Sequence, residues 1–376
     1  MTFRFIHSSD LHIGRKFVNI PQPPDGNIRG RLMEARHGAI NRLAQAARAH
    51  GAAHVLLAGD TFDTATPSPT VIRQALAAMG EASDITWWLL PGNHDNLRDA
   101  EPLWESIGRD APANVISVTG TGPLDLAPGA TLLPCPVAFR SSGIDPTEVL
   151  VTMPSDEGSL RIGLAHGGVK DFTDSGDVIA PDRDRTARLD YLALGDWHGR
   201  TRVSSRLQYS GSPEQDRFKH GRRGVCLCVE LDGPGAEPRV TEIETGEFLW
   251  TEIALPLHPG QDAAEALEAA VPASGRRDLL VRLRVTGWAG LPEQAELRLA
   301  ADRLAPDFAC LELLTDGLGT QYDARDLDGI DRAGALRLAA NMLKDDAESE
   351  TLSQQDRDVA ADALARLYAY VREASK

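Results

Sequence analysis

The chain has 376 residues, 42% hydrophobic and 25% charged, enough to bury a core in one large domain with a smaller one beside it. A formal net charge of -16 at pH 7 argues at first sight against a nucleic-acid partner. The four cysteines include no Cys-x-x-Cys pair, and Cys226 and Cys228 alternate within an apolar strand. That excludes a zinc finger or disulfide framework and suits a reducing cytoplasm. Met1 to His7 lack the pattern of a secretory signal, and no run approaches the roughly 18 apolar residues of a membrane span. The expectation is a soluble cytoplasmic protein with no membrane contact.

In chain order, residues 3–8 read as a strand with Asp10-Leu11-His12 at its carboxyl end, where a carboxylate and an imidazole two apart can face the same way, as in metal sites. His7, on the strand itself, reads as a hydrogen-bonded core histidine. Residues 30–50 have the spacing of an amphipathic helix, through Leu32, Ile40, Leu43, Ala44 and Ala47. Val55 to Ala58 form a buried strand that ends in Gly59-Asp60-Thr61-Phe62-Asp63. Ser68-Pro69 is an N-cap followed by a first-turn proline, opening a helix to about Ala82. The apolar run Ile85 to Leu90 then stops at Pro91-Gly92, a turn that pushes Asn93, His94 and Asp95 past the sheet edge. Short strands and turns occupy 114–137. Two further buried strands, 161–165 and 191–194, end in His166-Gly167-Gly168 and Gly195-Asp196-Trp197-His198, either side of a polar loop at 171–188. Five strands thus deliver Asp, His or Asn at their carboxyl ends, where α/β sheets place their sites.

The ordered set Asp10-x-His12, Gly59-Asp60-x-x-Asp63, Gly92-Asn93-His94-Asp95, His166-Gly167 and Gly195-x-x-His198 resembles the calcineurin-like metallophosphoesterase superfamily. His7-Ser8-Ser9-Asp10-Leu11-His12-Ile13-Gly14, Ala58 to Asp63 and Tyr209-Ser210-Gly211-Ser212-Pro213 narrow the resemblance to its DNA-repair exonuclease branch, which includes SbcD- and YhaO-type nucleases. It covers about residues 2–250. The fold it implies is α/β, a β-sandwich flanked by helices, with a smaller α+β capping domain and C-terminal helices. It also implies two divalent cations, with Asp10, His12 and His198 on one, Asn93 and His166 on the other, and Asp60 bridging both. His94 would then protonate the leaving oxygen, its ring oriented by Asp63. Nitrogen and oxygen donors without thiolate suit Mn2+ and admit Fe2+, Zn2+ or Mg2+.

One position departs from the family, which usually has histidine where this chain has Asp196. Either Asp196 ligates through its carboxylate, the reading we favour, or the second metal is held more weakly. Between Arg200 and Gly224, seven Lys or Arg face two acids, a local net of +5, and Arg217, Lys219, Arg222 and Arg223 are the candidate contacts to DNA phosphates. Residues 301–376 carry 9 basic and 16 acidic residues, so the acidity is partly segregated from the site. The expected organisation is a nuclease domain over 1–250, a capping domain over 251–330 and a helical segment over 331–376. For the apolar stripe of the last helix the sequence leaves open self-packing or, as the resemblance implies, docking on a coiled-coil (SbcC-like) ATPase; a homodimer is left open too. The expected function is a metal-dependent DNA exonuclease, with single-strand endonuclease activity left open, and with a small-nucleotide or phosphoprotein phosphoesterase and a non-catalytic scaffold as alternatives.

Overall fold

The computed structural model describes residues 2–23, 26–140, 143–169, 178–321 and 334–374. Residues 171–177 of the expected polar loop, and the first three of the helix expected to start at 331, lie outside these. Contacts divide the chain into two compact units, one of Met1–Asp216 with Arg222–Leu249, the other of Arg217–Gly221 with Trp250–Lys376.

Two six-stranded sheets build the first unit. One runs in the order Arg239–Glu244, Val225–Leu231, Phe3–Ser8, His54–Leu57, Thr86–Leu89, Val115–Ser117; the other in the order Thr201–Arg202, Leu207–Tyr209, Tyr191–Gly195, Leu160–His166, Ala130–Cys135, Leu124–Ala127. The continuous apolar character of the central strands follows from burial on both faces, with side chains alternating between two cores. In the first sheet Val55, Leu57, Trp87 and Leu89 point out toward the helices Ile28–His50, Pro69–Glu81 and Glu101–Asp110. Their neighbours Leu56, Trp88 and Leu90 point inward to meet Leu132, Ile162, Leu164, Tyr191 and Ala193 of the second sheet. Leu133, Ala165, Leu192 and Leu194 cover that sheet's other face. The result is a β-sandwich flanked by helices, as the resemblance implies.

Ser68 caps the second helix as expected, accepting from the Val71 amide at 3.4 Å, a contact worth about 1 kcal/mol in typical helices. The helix Glu101–Asp110 escaped the sequence reading; its Pro102 sits in the first turn, where no amide donor is needed.

The second unit has a three-stranded sheet, Leu249–Leu257, Leu279–Gly290 and Cys310–Gln321, with the last two parallel. Helices Leu291–Leu304, Ala335–Glu348 and Gln354–Ala374 share a core of Leu291, Ala295, Ala340, Leu364, Ala365 and Tyr368. The stripe on the last helix therefore packs, at least through Leu364, Leu367 and Val371, on its own unit. Phe218 packs edge-on against Trp250 at 5.1 Å, with the Arg282 guanidinium over its ring at 4.1 Å.

His7 is fully buried, its ring nitrogens against the Tyr191 hydroxyl and the Leu194 carbonyl, each at 3.1 Å. Burial pulls its pKa down from 6.5 to about 3, despite the Leu194 hydrogen bond. Between those values the unfolded chain binds a proton that the folded one refuses, so this residue's contribution to stability is intact above pH 6.5 and lost as pH falls. At pH 5 the loss is about 2 kcal/mol. Urea unfolding at pH 7 and pH 5 should show a smaller pH dependence in His7→Gln than in the wild type; an equal dependence would assign the acid sensitivity elsewhere.

Candidate metal centre

The Asp10-Leu11-His12-Ile13 and Gly59-Asp60-Thr61-Phe62-Asp63 segments leave neighbouring parallel strands and stay zipped beyond the sheet. The amides of Asp10, His12 and Ile13 donate to the carbonyls of Gly59, Asp60 and Thr61 at 3.1, 3.0 and 2.9 Å, and the Asp63 amide returns to Ile13. Within this ribbon Asp10, His12 and Asp60 adopt left-handed backbone at φ 55, 43 and 54, and Asp196 follows at φ 101. Side chains other than glycine adopt that region at a cost, and such outliers cluster at functional sites. Here the twist turns side chains from three segments onto one spot. At Gly92 a Cβ would collide with the Asp60 carboxylate, and at Gly195 with the Ala58 carbonyl, so both motif glycines are there for close approach.

The Asp95 carboxylate accepts from the Gly92 and Phe62 amides at 2.7 and 3.0 Å, tying the Asn93-His94 turn to the Asp60 loop. Ser212 donates to the Asp10 carbonyl at 3.0 Å, and Tyr209 donates to the Gly167 carbonyl at 2.8 Å. The Tyr209–Pro213 motif thus braces two of the strand ends.

Every expected metal residue comes to this place. Among the described residues, three groups bring candidate ligand atoms within 4.8 Å of one another: Asp10, His12 and His198; Asp10, Asp60 and His166; His12, Asp60 and His94. Asn93 and Asp196 flank the His166 side. The Asn93 amide nitrogen donates to the Asp196 carboxylate at 3.0 Å, and an oxygen of that carboxylate lies 3.9 Å from His166 Nε2.

The outer nitrogens of the histidines each lie against an oxygen, though His12 Nδ1 makes no hydrogen bond. His12 Nδ1 faces the Asp63 carboxylate at 3.3 Å, His198 Nδ1 faces Asp216 at 3.1 Å, and His166 Nδ1 donates to the Ala58 carbonyl at 2.8 Å. This leaves the Nε2 atoms of His12 and His198 pointing at each other, 3.2 Å apart. Burial holds His12 neutral, pulling its pKa to about 3. Two imidazole nitrogens this close, one of them on a ring that burial keeps neutral, make an arrangement that a cation relieves. Buried His166 Nε2 and Asn93 Oδ1 have no hydrogen-bond partner. Burial works against a proton on His166, yet the Asp60, Asp10 and Asp196 carboxylates outweigh it and push the pKa up to about 9. Burial likewise raises the Asp60 and Asp196 carboxyls. The cluster is short of positive charge, and the donors present fit divalent cations.

Two roles differ from expectation. The Asp63 carboxylate does not orient His94: it sits against His12 Nδ1, 3.3 Å away, and against Arg15. His94 Nδ1 donates to the Asp63 main-chain carbonyl at 2.8 Å instead. The left-handed turn at His12 aims that ring at Asp63, a geometry that motif spacing does not encode. Asp216, counted in the sequence only as a charge, is the buried partner of His198 and of Arg15 and Arg36, at 3.0 and 3.4 Å. It lies 18 residues beyond His198, and only its closeness to the motif Tyr209–Pro213 hinted at a role.

The candidate DNA contacts are not the uncompensated patch that the local count suggests. Arg222 pairs with Glu242, and Arg223 lies 3.6 Å from Glu244. Arg200, Arg202 and Arg206 face Glu242, Glu237 and Asp190. The +5 was counted along the segment, while most of the neutralising acids come from the neighbouring strand Arg239–Glu244 and the residues before it. Arg217 and Lys219 are exposed and belong to the second unit.

A family model described as calcineurin-like phosphoesterase matches residues 3–229. The chain belongs to that family. It is 25% identical over 243 residues to YhaO of Bacillus subtilis (strain 168), described as an uncharacterized metallophosphoesterase. That match covers 61% of this chain and 58% of YhaO, less than two thirds of the relative's length. Among solved structures it is similar to TT1561 of Thermus thermophilus, at 11% identity and TM-score 0.40 over 65% of this chain and 100% of that one. A dimetal phosphatase from Danio rerio aligns at 11% identity and TM-score 0.37 over 63% of this chain and 98% of that one. Like a member of a metallophosphoesterase family, the chain carries residue groups that could hold two divalent ions. No helix among its described residues is long and apolar enough to cross a membrane.

Removing the Asp63 carboxylate tests the corrected role. Asp63→Ala should weaken metal affinity by roughly 10-fold or more, as loss of a histidine's outer partner does elsewhere, measured by calorimetric titration of Mn2+. Unchanged affinity with lowered turnover would return Asp63 to service of His94.

Proposed function

We propose that the protein is a DNA exonuclease of the repair type, hydrolysing phosphodiester bonds with two divalent cations, most suitably Mn2+. The observation that carries this reading is the convergence of seven donors, Asp10, His12, Asp60, Asn93, His166, Asp196 and His198, around one spot with His94 at its edge. The repair-branch features in Ser8 to Gly14 and Tyr209 to Pro213 support DNA as the substrate.

Asp10, His12 and His198 would hold one ion, Asn93, His166 and Asp196 the other, with Asp60 shared. When bound, the ions would neutralise the phosphate and acidify the attacking water. The His94 amide is fixed on the Asp60 carboxylate at 2.9 Å and its Nδ1 on the Asp63 carbonyl. Protonated His94 can therefore deliver the Nε2 proton to the leaving oxygen as its bond to phosphorus breaks. Arg217, Lys219, Arg222 and Arg223 remain the candidate phosphate contacts. A coiled-coil ATPase partner fits the apolar side chains exposed on the C-terminal helices, Leu338, Met342, Val359 and Tyr370. The pairing of Arg222 and Arg223 with carboxylates favours a second reading, a phosphoesterase for a small nucleotide.

The test is incubation with Mn2+ and three substrates: labelled single-stranded DNA, duplex DNA and bis-p-nitrophenyl phosphate. DNA hydrolysis that His94→Ala slows roughly 10²-fold, with metal content at the wild-type level, is the expected result. Cleavage of the small ester alone would favour the nucleotide reading, and metal loss in His94→Ala would make His94 a ligand. Inertness toward all three substrates would overturn both enzyme readings.

A further inference from the structure

A cavity of about 330 Å³ opens beside the centre on the Asn93, His166 and Asp196 side, and His94 is not part of its wall. The segment after the strand Ala130–Cys135 forms one wall, carrying Val137 and Phe139; Ile144, Pro146 and Val149 form another. The first wall is tied to the catalytic turn, because the Val137 amide donates to the Pro91 carbonyl at 3.2 Å and the Leu97 amide to the Val137 carbonyl at 3.0 Å. The cavity and the metal centre therefore share the Asn93, His166 and Asp196 side chains, so the cavity adjoins the place where a phosphate would be held.

We propose that this cavity is a nucleoside subsite, which takes the base of the nucleotide whose phosphate is attacked. This deepens the proposed function, on which it rests for the position of the phosphate. Three features select a base. Phe139 is 47% exposed at the mouth, with the Arg98 guanidinium 5.3 Å from its ring, which makes it a stacking platform. The volume suits a flat heterocycle with its sugar and is at the small end for ligand sites. Among the apolar walls stand Thr121 and Arg140, donors for the polar edge of a base. An aliphatic chain would leave both unused.

The subsite is tested by binding, independently of hydrolysis. Calorimetry with the Mn2+-loaded protein compares adenosine 5′-monophosphate with ribose 5-phosphate, which has the same phosphate and sugar and no base. The base should strengthen binding by roughly 10-fold or more, the range that stacking supplies. Phe139→Ala, at an exposed position, should erase most of that difference, and so should Val149→Trp by filling the cavity; neither should alter ribose 5-phosphate binding. Equal affinity of the two ligands, or tighter binding of octyl phosphate than of the nucleotide, would overturn the proposal. A protein that binds the nucleotide through its base yet hydrolyses no diester would refute the proposed nuclease and leave the subsite standing.

Discussion

Buried charge that its own neighbours do not balance is the constraint on which the rest of this structure depends. Asp10 and Asp60 lie at the junction of the two sheets with almost no exposure, and burying carboxylates without a counter-charge is costly. Yet the surrounding polar groups are arranged to strengthen the imbalance. Asp63, Asp216 and the Ala58 carbonyl lie against the outer nitrogens of His12, His198 and His166, and each ring presents its other nitrogen inward. Left-handed backbone, the missing side chains at Gly92 and Gly195, and the Asp95 staple are the means by which the chain holds this arrangement.

Much of this was legible in the sequence because strand ends are short-range features. An apolar run of four to six residues followed by Gly-Asp or Gly-Asn-His specifies both a buried strand and the direction its last residues face. Asp60 and Asn93 are of this kind, and Asp10, His12, His166 and His198 likewise stand at or just past a strand end. What stayed hidden was pairing across distance. Asp63 stands in the same motif in either role, and only the fold decides whether its carboxylate meets His94 or His12. Asp216 reads as one acid in a basic stretch until Arg15, Arg36 and His198 are seen to converge on it. The helix Glu101–Asp110 was obscured by Pro102, whose position in the first turn becomes clear only once the boundary is known.

The charge count shows the same limit from another side. Counting along the chain treats a strand's charges as if its sheet neighbours were absent. Arg200 and Arg222 both face Glu242, so one carboxylate on the adjacent strand tempers two apparent phosphate contacts. Asp196 illustrates the reverse. A carboxylate can only accept hydrogen bonds, so its contact with the Asn93 amide nitrogen leaves Asn93 Oδ1 to face elsewhere. The residue that departs from the family pattern thereby fixes the orientation of one that keeps it.

The parentage of the site residues carries a mechanical meaning. Asp10, His12, Asp60 and Asn93 follow strands of one sheet, while His166, Asp196 and His198 follow strands of the other. At this end the sheets are joined by hydrogen bonds from His166 to the Ala58 carbonyl, from Asn93 to Asp196 and from Ser212 to the Asp10 carbonyl, and a cation held between them would draw ligands from both. A bound ion thus works as a clasp at one end of the sandwich, and its binding energy adds to the cohesion of the whole unit. Starved of metal, this end of the sandwich would rest on such hydrogen bonds and on the core behind them, with the ion's share of the cohesion gone.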